Sequence, residues 1–147
     1  MRDISATDIR QCGEIEQLYQ LISSDVTRLN KWALAASFAR MGALFRGRGS
    51  ATHSTQLRET IRILGDESCK RLESFDARLT STIICAIAKF PANHRDNHLV
   101  QLLQGRGKAI AHKFKSQEVS NTLWGLAKMG GDVDAELLRD LSRRGEA

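Results

Sequence analysis

The sequence predicts an all-α fold, an α-solenoid of stacked helical hairpins with a repeat of about 39 residues, and three observations carry that prediction. Apolar residues recur at helical spacing along the whole chain. One helix-type motif occurs twice, from Phe75 to Pro91 and from Phe114 to Gly130, and self-similarity at such a period reads as a helical-hairpin array. Aromatic content is 5% and there is 1 Pro, which suits helices better than a β-sandwich.

The second motif copy is the clearer one. Phe114 precedes a cap-class Ser116, then Val119, Leu123 and Leu126 share a face with Thr122 and Met129 at its margin, and Gly130 closes the helix. In the first copy Phe75 matches Phe114, Leu79 matches Val119 within one position, Thr82 matches Asn121, and Ala88-Lys89 matches Ala127-Lys128. At the same offset Val100 matches Ile61, Leu102 matches Ile63 and Leu103 matches Leu64, so the repeating unit has two helices. Trp124 and Trp32, set among apolar neighbours, are expected in the core, where burial of such a side chain contributes roughly 1.5–3 kcal/mol.

About seven helices follow in order, in four segments: residues 1–53, 54–91, 92–130 and 131–147. Thr7 caps a first helix with Ile9, Cys12, Ile15, Leu18, Tyr19 and Ile22 on one face, and Ser23-Ser24-Asp25 breaks it. A second helix from about Val26 to Phe45 carries Leu29, Trp32, Ala33, Ala36, Met41 and Leu44, and its Phe38–Gly42 part is a degenerate echo of the motif. Residues 46–50, Arg-Gly-Arg-Gly-Ser, read as a flexible basic loop. From about Ser54 a longer helix puts Leu57, Ile61, Leu64, Ser68 and Leu72 on one stripe, and Pro91 stops the motif helix that comes after it. Its counterpart, from Asp96 to Lys113, contains Gly105 and Gly107, each costing roughly 1 kcal/mol relative to Ala. Asp132 or Asp134 starts a last helix with Val133, Leu137, Leu138 and Leu141 inward. That helix reads either as a cap or as the opening half of a further repeat in a longer array.

A net charge of +5 and a pI near 9.4 favour an anionic partner. Cys12, Cys69 and Cys85 lie far apart without a CxxC pair, which argues against disulfide and zinc frameworks. The acidic, non-apolar N-terminus is neither a signal nor a transit peptide, and no stretch reaches the ~18–20 apolar residues of a membrane span, so a soluble intracellular protein is expected. His94 and His98 are four apart but lack further ligands nearby, and a polar helix start explains them better than a metal. No nucleophile elbow occurs, and Gly47-Arg48-Gly49 lacks the Lys-Ser/Thr ending and preceding strand of a phosphate loop. The expectation is a non-enzyme with no cofactor, no metal and no small-molecule substrate. Basic residues group at the repeat junctions: Arg40, Arg46 and Arg48, then Arg106, Lys108, Lys113 and Lys115. Stacked hairpins would align such groups for phosphate tracking, which makes Arg46, Arg48, Arg106, Lys108, Lys113 and Lys115 the candidate nucleic-acid contacts. The competing reading of these charges is a solvated face that keeps the protein soluble.

The run Val119-Ser120-Asn121-Thr122-Leu123-Trp124-Gly125-Leu126-Ala127 resembles the octotricopeptide repeat family, and the resemblance extends over roughly Ser54 to Leu141. The Phe75 copy keeps Phe75, Leu79, Thr82 and Ala88 but has Ile84 where the Trp would stand. Ala88-Lys89-Phe90-Pro91 is similar to the signature of a second α-solenoid family, the Ser-Lys-Trp-Pro repeat effectors of plant-pathogenic bacteria, with a weaker echo at Asn30-Lys31-Trp32-Ala33. The first resemblance implies single-stranded RNA binding in RNA metabolism. The second implies a protein-interaction scaffold, a fragment of a bacterial type III effector. A structural segment of a larger enzyme is a third reading.

Overall fold

The computed structural model describes residues 2–45, 51–131 and 133–146, so the basic loop with Arg46 and Arg48 lies outside the described residues. Among the described residues there are eight α-helices, four 3-10 turns and no strand, with one isolated bridge between Ile4 and Leu29. The all-helical expectation therefore holds. The chain divides into two compact units, residues 1–70 and 71–147.

The first unit holds α1 (Ala6–Arg10), α2 (Ile15–Ser24), α3 (Lys31–Phe45) and nearly all of α4 (Ala51–Arg71). The single first helix of the sequence reading is in fact two. Ser5, not Thr7, caps α1: its hydroxyl accepts from the Asp8 N–H at 3.3 Å while its own N–H donates to Asp8 Oδ2 at 2.9 Å. The side chain of Gln17 then accepts from the N–H groups of Gly13 (2.8 Å) and Glu14 (3.2 Å), which builds a fresh helix start at Ile15. The reading of one helix from Val26 to Phe45 is also corrected. Val26–Arg28 is a 3-10 turn, and Leu29 is extended because Ile4 pairs with the backbone beside it, donating to Arg28 O at 2.7 Å and accepting from Asn30 N–H at 3.2 Å. Asn30 then caps α3 by accepting from Ala33 N–H at 2.8 Å. Ile9, Leu18, Ile22, Leu34, Phe38 and Met41 are buried, and so are Leu57, Ile61, Leu64 and Ser68 of α4, the stripe read from the sequence. Leu72, placed on that stripe, is half-buried.

The second unit holds α5 (Ala77–Ala88), α6 (Asn97–Ala109), α7 (Ser116–Met129) and α8 (Ala135–Glu146). Its two motif helices begin in the same way. A 3-10 turn, Leu72–Ser74 or Ala111–Lys113, leads to a buried and extended Phe: Phe75 at φ −72°, ψ 126° and Phe114 at φ −72°, ψ 132°. The next residue is the N-cap; Asp76 accepts from Leu79 N–H at 2.8 Å, while Lys115 donates its N–H to Glu118 Oε1 at 3.1 Å. The partner helices α6 and α8 also match. Asp96 accepts from Leu99 N–H and Asp134 from Leu137 N–H, both at 3.1 Å. Asp134 is thus the residue that starts the last helix, and Asp132 lies outside the described residues.

Two arginines join these parts. Arg106, in α6, donates from Nε to the carbonyl of Phe75 at 2.9 Å, and Arg144, in α8, donates from Nη2 to the carbonyl of Phe114 at 3.1 Å. Gly107 also lies against the Phe114 ring, since a Cβ there would stand 3.7 Å from its Cζ. The start of α5 and the start of α7 are therefore both held at the C-terminal end of α6, so α5 and α7 run parallel. They pack along their lengths, and the closest approach is at Gly125, where an added Cβ would lie 3.1 Å from Ile84 Cγ2 and 3.3 Å from Ile84 O. α6 runs unbroken through Gly105 and Gly107, and α7 closes on Gly130 at φ +64°, a conformation natural to glycine. On α8 Leu137 and Leu141 are buried, but Leu138, expected inward, is 44% exposed because it falls a full 100° from Leu137 around the helix.

The two glycines give opposite expectations. Gly105→Ala should raise stability by about 0.5–1 kcal/mol, since a Cβ there meets nothing within 4 Å and Ala is the better helix former. Gly125→Ala should lower it by about 1–3 kcal/mol, since the methyl meets the backbone of α5. Urea denaturation of the two variants checks both signs.

Candidate nucleic-acid interface

Burying the apolar face of a motif helix leaves a definite complement. α5 buries every residue except Arg78, Thr82 and Cys85, and Lys89 stays exposed just past its end. The spacing of these four, i, i+4, i+7 and i+11, is one stripe down a helix. α7 buries less, but the same register positions are open: Gln117, Asn121, Trp124 and Lys128, each thirty-nine residues after its α5 counterpart. Ile84 flanks the α5 stripe on one side and Gly125 flanks the α7 stripe on the opposite side. Because the helices run parallel and touch through those two residues, both stripes open in the same direction. Together they present Arg78, Lys89, Lys128, three uncharged polar side chains, Cys85 and Trp124, with no carboxylate in either row.

Both tryptophans correct the sequence reading. Trp124 is 46% and Trp32 40% exposed, where the core was expected. The reason is angular: Trp124 is two residues from Leu126, about 200° around the helix, so it lies on the far side from the packed face. A lysine stands over each ring, Lys128 Nζ at 5.6 Å and Lys31 Nζ at 4.9 Å from the centroids. Each is within cation–π range. Among the described residues neither Lys89 nor Lys128 is ion-paired.

The six residues selected from the sequence separate into three pairs. Arg46 and Arg48 lie outside the described residues. Arg106 and Lys108 have partners inside the unit: Arg106 is half-buried on the Phe75 carbonyl, and Lys108 Nζ stands 3.1 Å from Asp134 and 3.8 Å from Glu136. Lys113 and Lys115 are exposed on either side of Phe114, at the N-terminal end of the α7 stripe. Arg78, Lys89, Asn121, Trp124 and Lys128 were not selected. Their signal was present in the sequence, as the complement of the apolar face recurring at the repeat offset.

Two charged groups here move from their ordinary ionisation. The Asp134 carboxyl is lowered, first by the Leu137 N–H at the start of α8 and then by Lys108. Its stabilising effect is therefore complete above the ordinary carboxylate value and fades as pH falls through the lowered one. Lys108 is raised, chiefly by its hydrogen bond to Asp134, so its effect is complete below the ordinary lysine value and is lost as pH rises through the raised one. His94 ends a 3-10 turn and His98 sits in the first turn of α6; among the described residues no group of three or more His, Cys, Asp or Glu could hold a metal ion. No described helix is long and apolar enough to cross a membrane. Compared with protein-family models, curated proteins and solved structures, the chain matches none of them.

Arg106→Ala removes a charge-assisted hydrogen bond to the carbonyl of the buried Phe75 and should cost about 1.5–3 kcal/mol of stability. Lys113→Ala and Lys115→Ala should stay within about 0.5 kcal/mol of the parent, as exposed side chains do. Denaturant midpoints of the three variants make the comparison.

Proposed function

We propose that this chain is a non-enzymatic single-stranded RNA-binding protein of RNA metabolism, built as an α-solenoid of hairpins about 39 residues long, and that α5 and α7 carry the contact. The observation that supports this most is the exposed Trp124 on an acid-free double row whose equivalent ends, Lys89 and Lys128, make no ion pair among the described residues. Single-strand binding needs an aromatic platform and cations that follow the backbone, and these are the two things the rows offer. In this reading a base stacks on Trp124, Lys128 and Lys89 meet consecutive phosphates, and Lys113 and Lys115 extend the cationic track past the start of α7. Arg106 and Lys108 act indirectly, by holding α5, α6 and α8 in place. The resemblance of residues 119–127 to the octotricopeptide repeat points the same way.

One observation favours a protein partner instead. On α3 the same register positions are Trp32, Ala36, Ala39 and Ala43, a row of small apolar residues beside an exposed aromatic. Such a row suits a polypeptide better than a phosphate backbone. We therefore assign RNA to the second unit and keep the scaffold reading for α3.

Fluorescence anisotropy with a labelled single strand across a salt series tests the proposal. Trp124→Ala should weaken binding about 5- to 150-fold, from the ~1–3 kcal/mol that stacking on one base contributes, with the fold intact. Lys89→Glu with Lys128→Glu should weaken all sequences alike and flatten the log K against log salt slope by about 1.4, which is ~0.7 for each lost phosphate contact. Undetectable binding at low salt, or binding indifferent to both changes, rules the reading out.

A further inference from the structure

The α7 row contains more than a platform and a cation. Gln117 donates from Nε2 to Oδ1 of Asn121 at 3.0 Å, one turn apart on the exposed face. With its carbonyl oxygen engaged by Gln117, the Asn121 amide keeps its Nδ2–H₂ to donate elsewhere. Asn121 is half-exposed and stands at i, i+3 to Trp124, so the two side chains are neighbours on the helix surface. A base stacked on the indole would bring its polar edge to the amide, where the Nδ2–H₂ is the group left without a partner in the row.

We propose that Asn121, oriented by Gln117, makes α7 a subsite for a keto base, uracil or guanine, in preference to an amino base, cytosine or adenine. The inference rests on the RNA reading above and adds base selectivity to it. The chemistry is direct. Uracil O4 and guanine O6 accept a hydrogen bond where cytosine N4 and adenine N6 carry donors. A donor facing a donor leaves both unpaired in a partly desolvated contact, and such mismatches discriminate strongly. At the equivalent positions on α5 stand Arg78, Thr82 and Cys85. Thr82 has a hydroxyl that both donates and accepts, and Cys85 offers no ring. The α5 subsite is thus permissive, and selectivity resides in α7.

The test compares anisotropy titrations of the whole chain with oligouridylate and oligocytidylate of equal length at low salt. The parent should bind oligouridylate about 5-fold or more tightly, the lower end of what a base-edge contact contributes. Asn121→Leu should bring the ratio to about one. Gln117→Leu, which frees the amide to rotate and to accept from cytosine N4, should also reduce it. Asn121→Asp, which presents acceptors only, should move the preference toward cytosine, and circular dichroism confirms that each variant keeps its helix content. Equal parental affinities, a cytosine preference, or a uracil preference unaffected by Asn121→Leu would overturn the subsite and leave RNA binding standing. No binding to either oligomer would overturn the RNA reading and the subsite with it.

Discussion

The carbonyl of the turn phenylalanine is the group on which the second unit depends. A 3-10 turn followed by an extended residue leaves that carbonyl without a helical partner, partly buried beside an aromatic ring. The chain supplies a guanidinium from the following long helix, Arg106 to Phe75 and Arg144 to Phe114. A charged donor on a backbone carbonyl is among the stronger hydrogen bonds a protein makes. It also specifies direction, because it holds the start of one motif helix at the end of the helix that leads into the next. Parallel α5 and α7 follow from this, and with them the close approach at Gly125, where the missing Cβ lets the backbones come together without displacing Ile84.

What remains exposed is set by that packing. α5 turns its apolar arc inward and leaves one row outward, and α7, which buries less, keeps the same positions open. Because the contact pair Ile84 and Gly125 flanks the rows on opposite sides, the rows open together and form one surface. These rows carry cations, polar side chains and an aromatic, whereas the exposed row of α3 has small apolar residues beside Trp32. The interiors of α5 and α7 are alike while their open rows differ, so what each row presents is separable from what holds the helices together.

Much of this was legible in the sequence. The offset between Phe75 and Phe114, the helical periodicity, the stop at Pro91 and the closing Gly130 are local signals, and local signals survive without a structure. The errors were tertiary or angular. The break before Ile15 depends on a Gln17 side chain reaching back, and the break at Leu29 depends on Ile4 pairing from a distant segment. The duties of Arg106 and Lys108 depend on partners some thirty residues away along the chain, so their charges looked available. Hydrophobicity alone places the two tryptophans in the core, but helical angle decides: Trp124 shares its row with Gln117, Asn121 and Lys128, all polar. The complement of the apolar face, rather than the clusters of basic residues, picks out the open rows.

The central claim, that the open row of α7 takes up single-stranded RNA on Trp124, is tested most directly by the emission of that one residue. With Trp32→Phe, Trp124 is the sole tryptophan in the chain. Titration with oligouridylate at low salt should quench its fluorescence in proportion to saturation measured by anisotropy, and added salt should reverse both together. Saturable RNA binding with Trp124 emission unchanged would contradict the account.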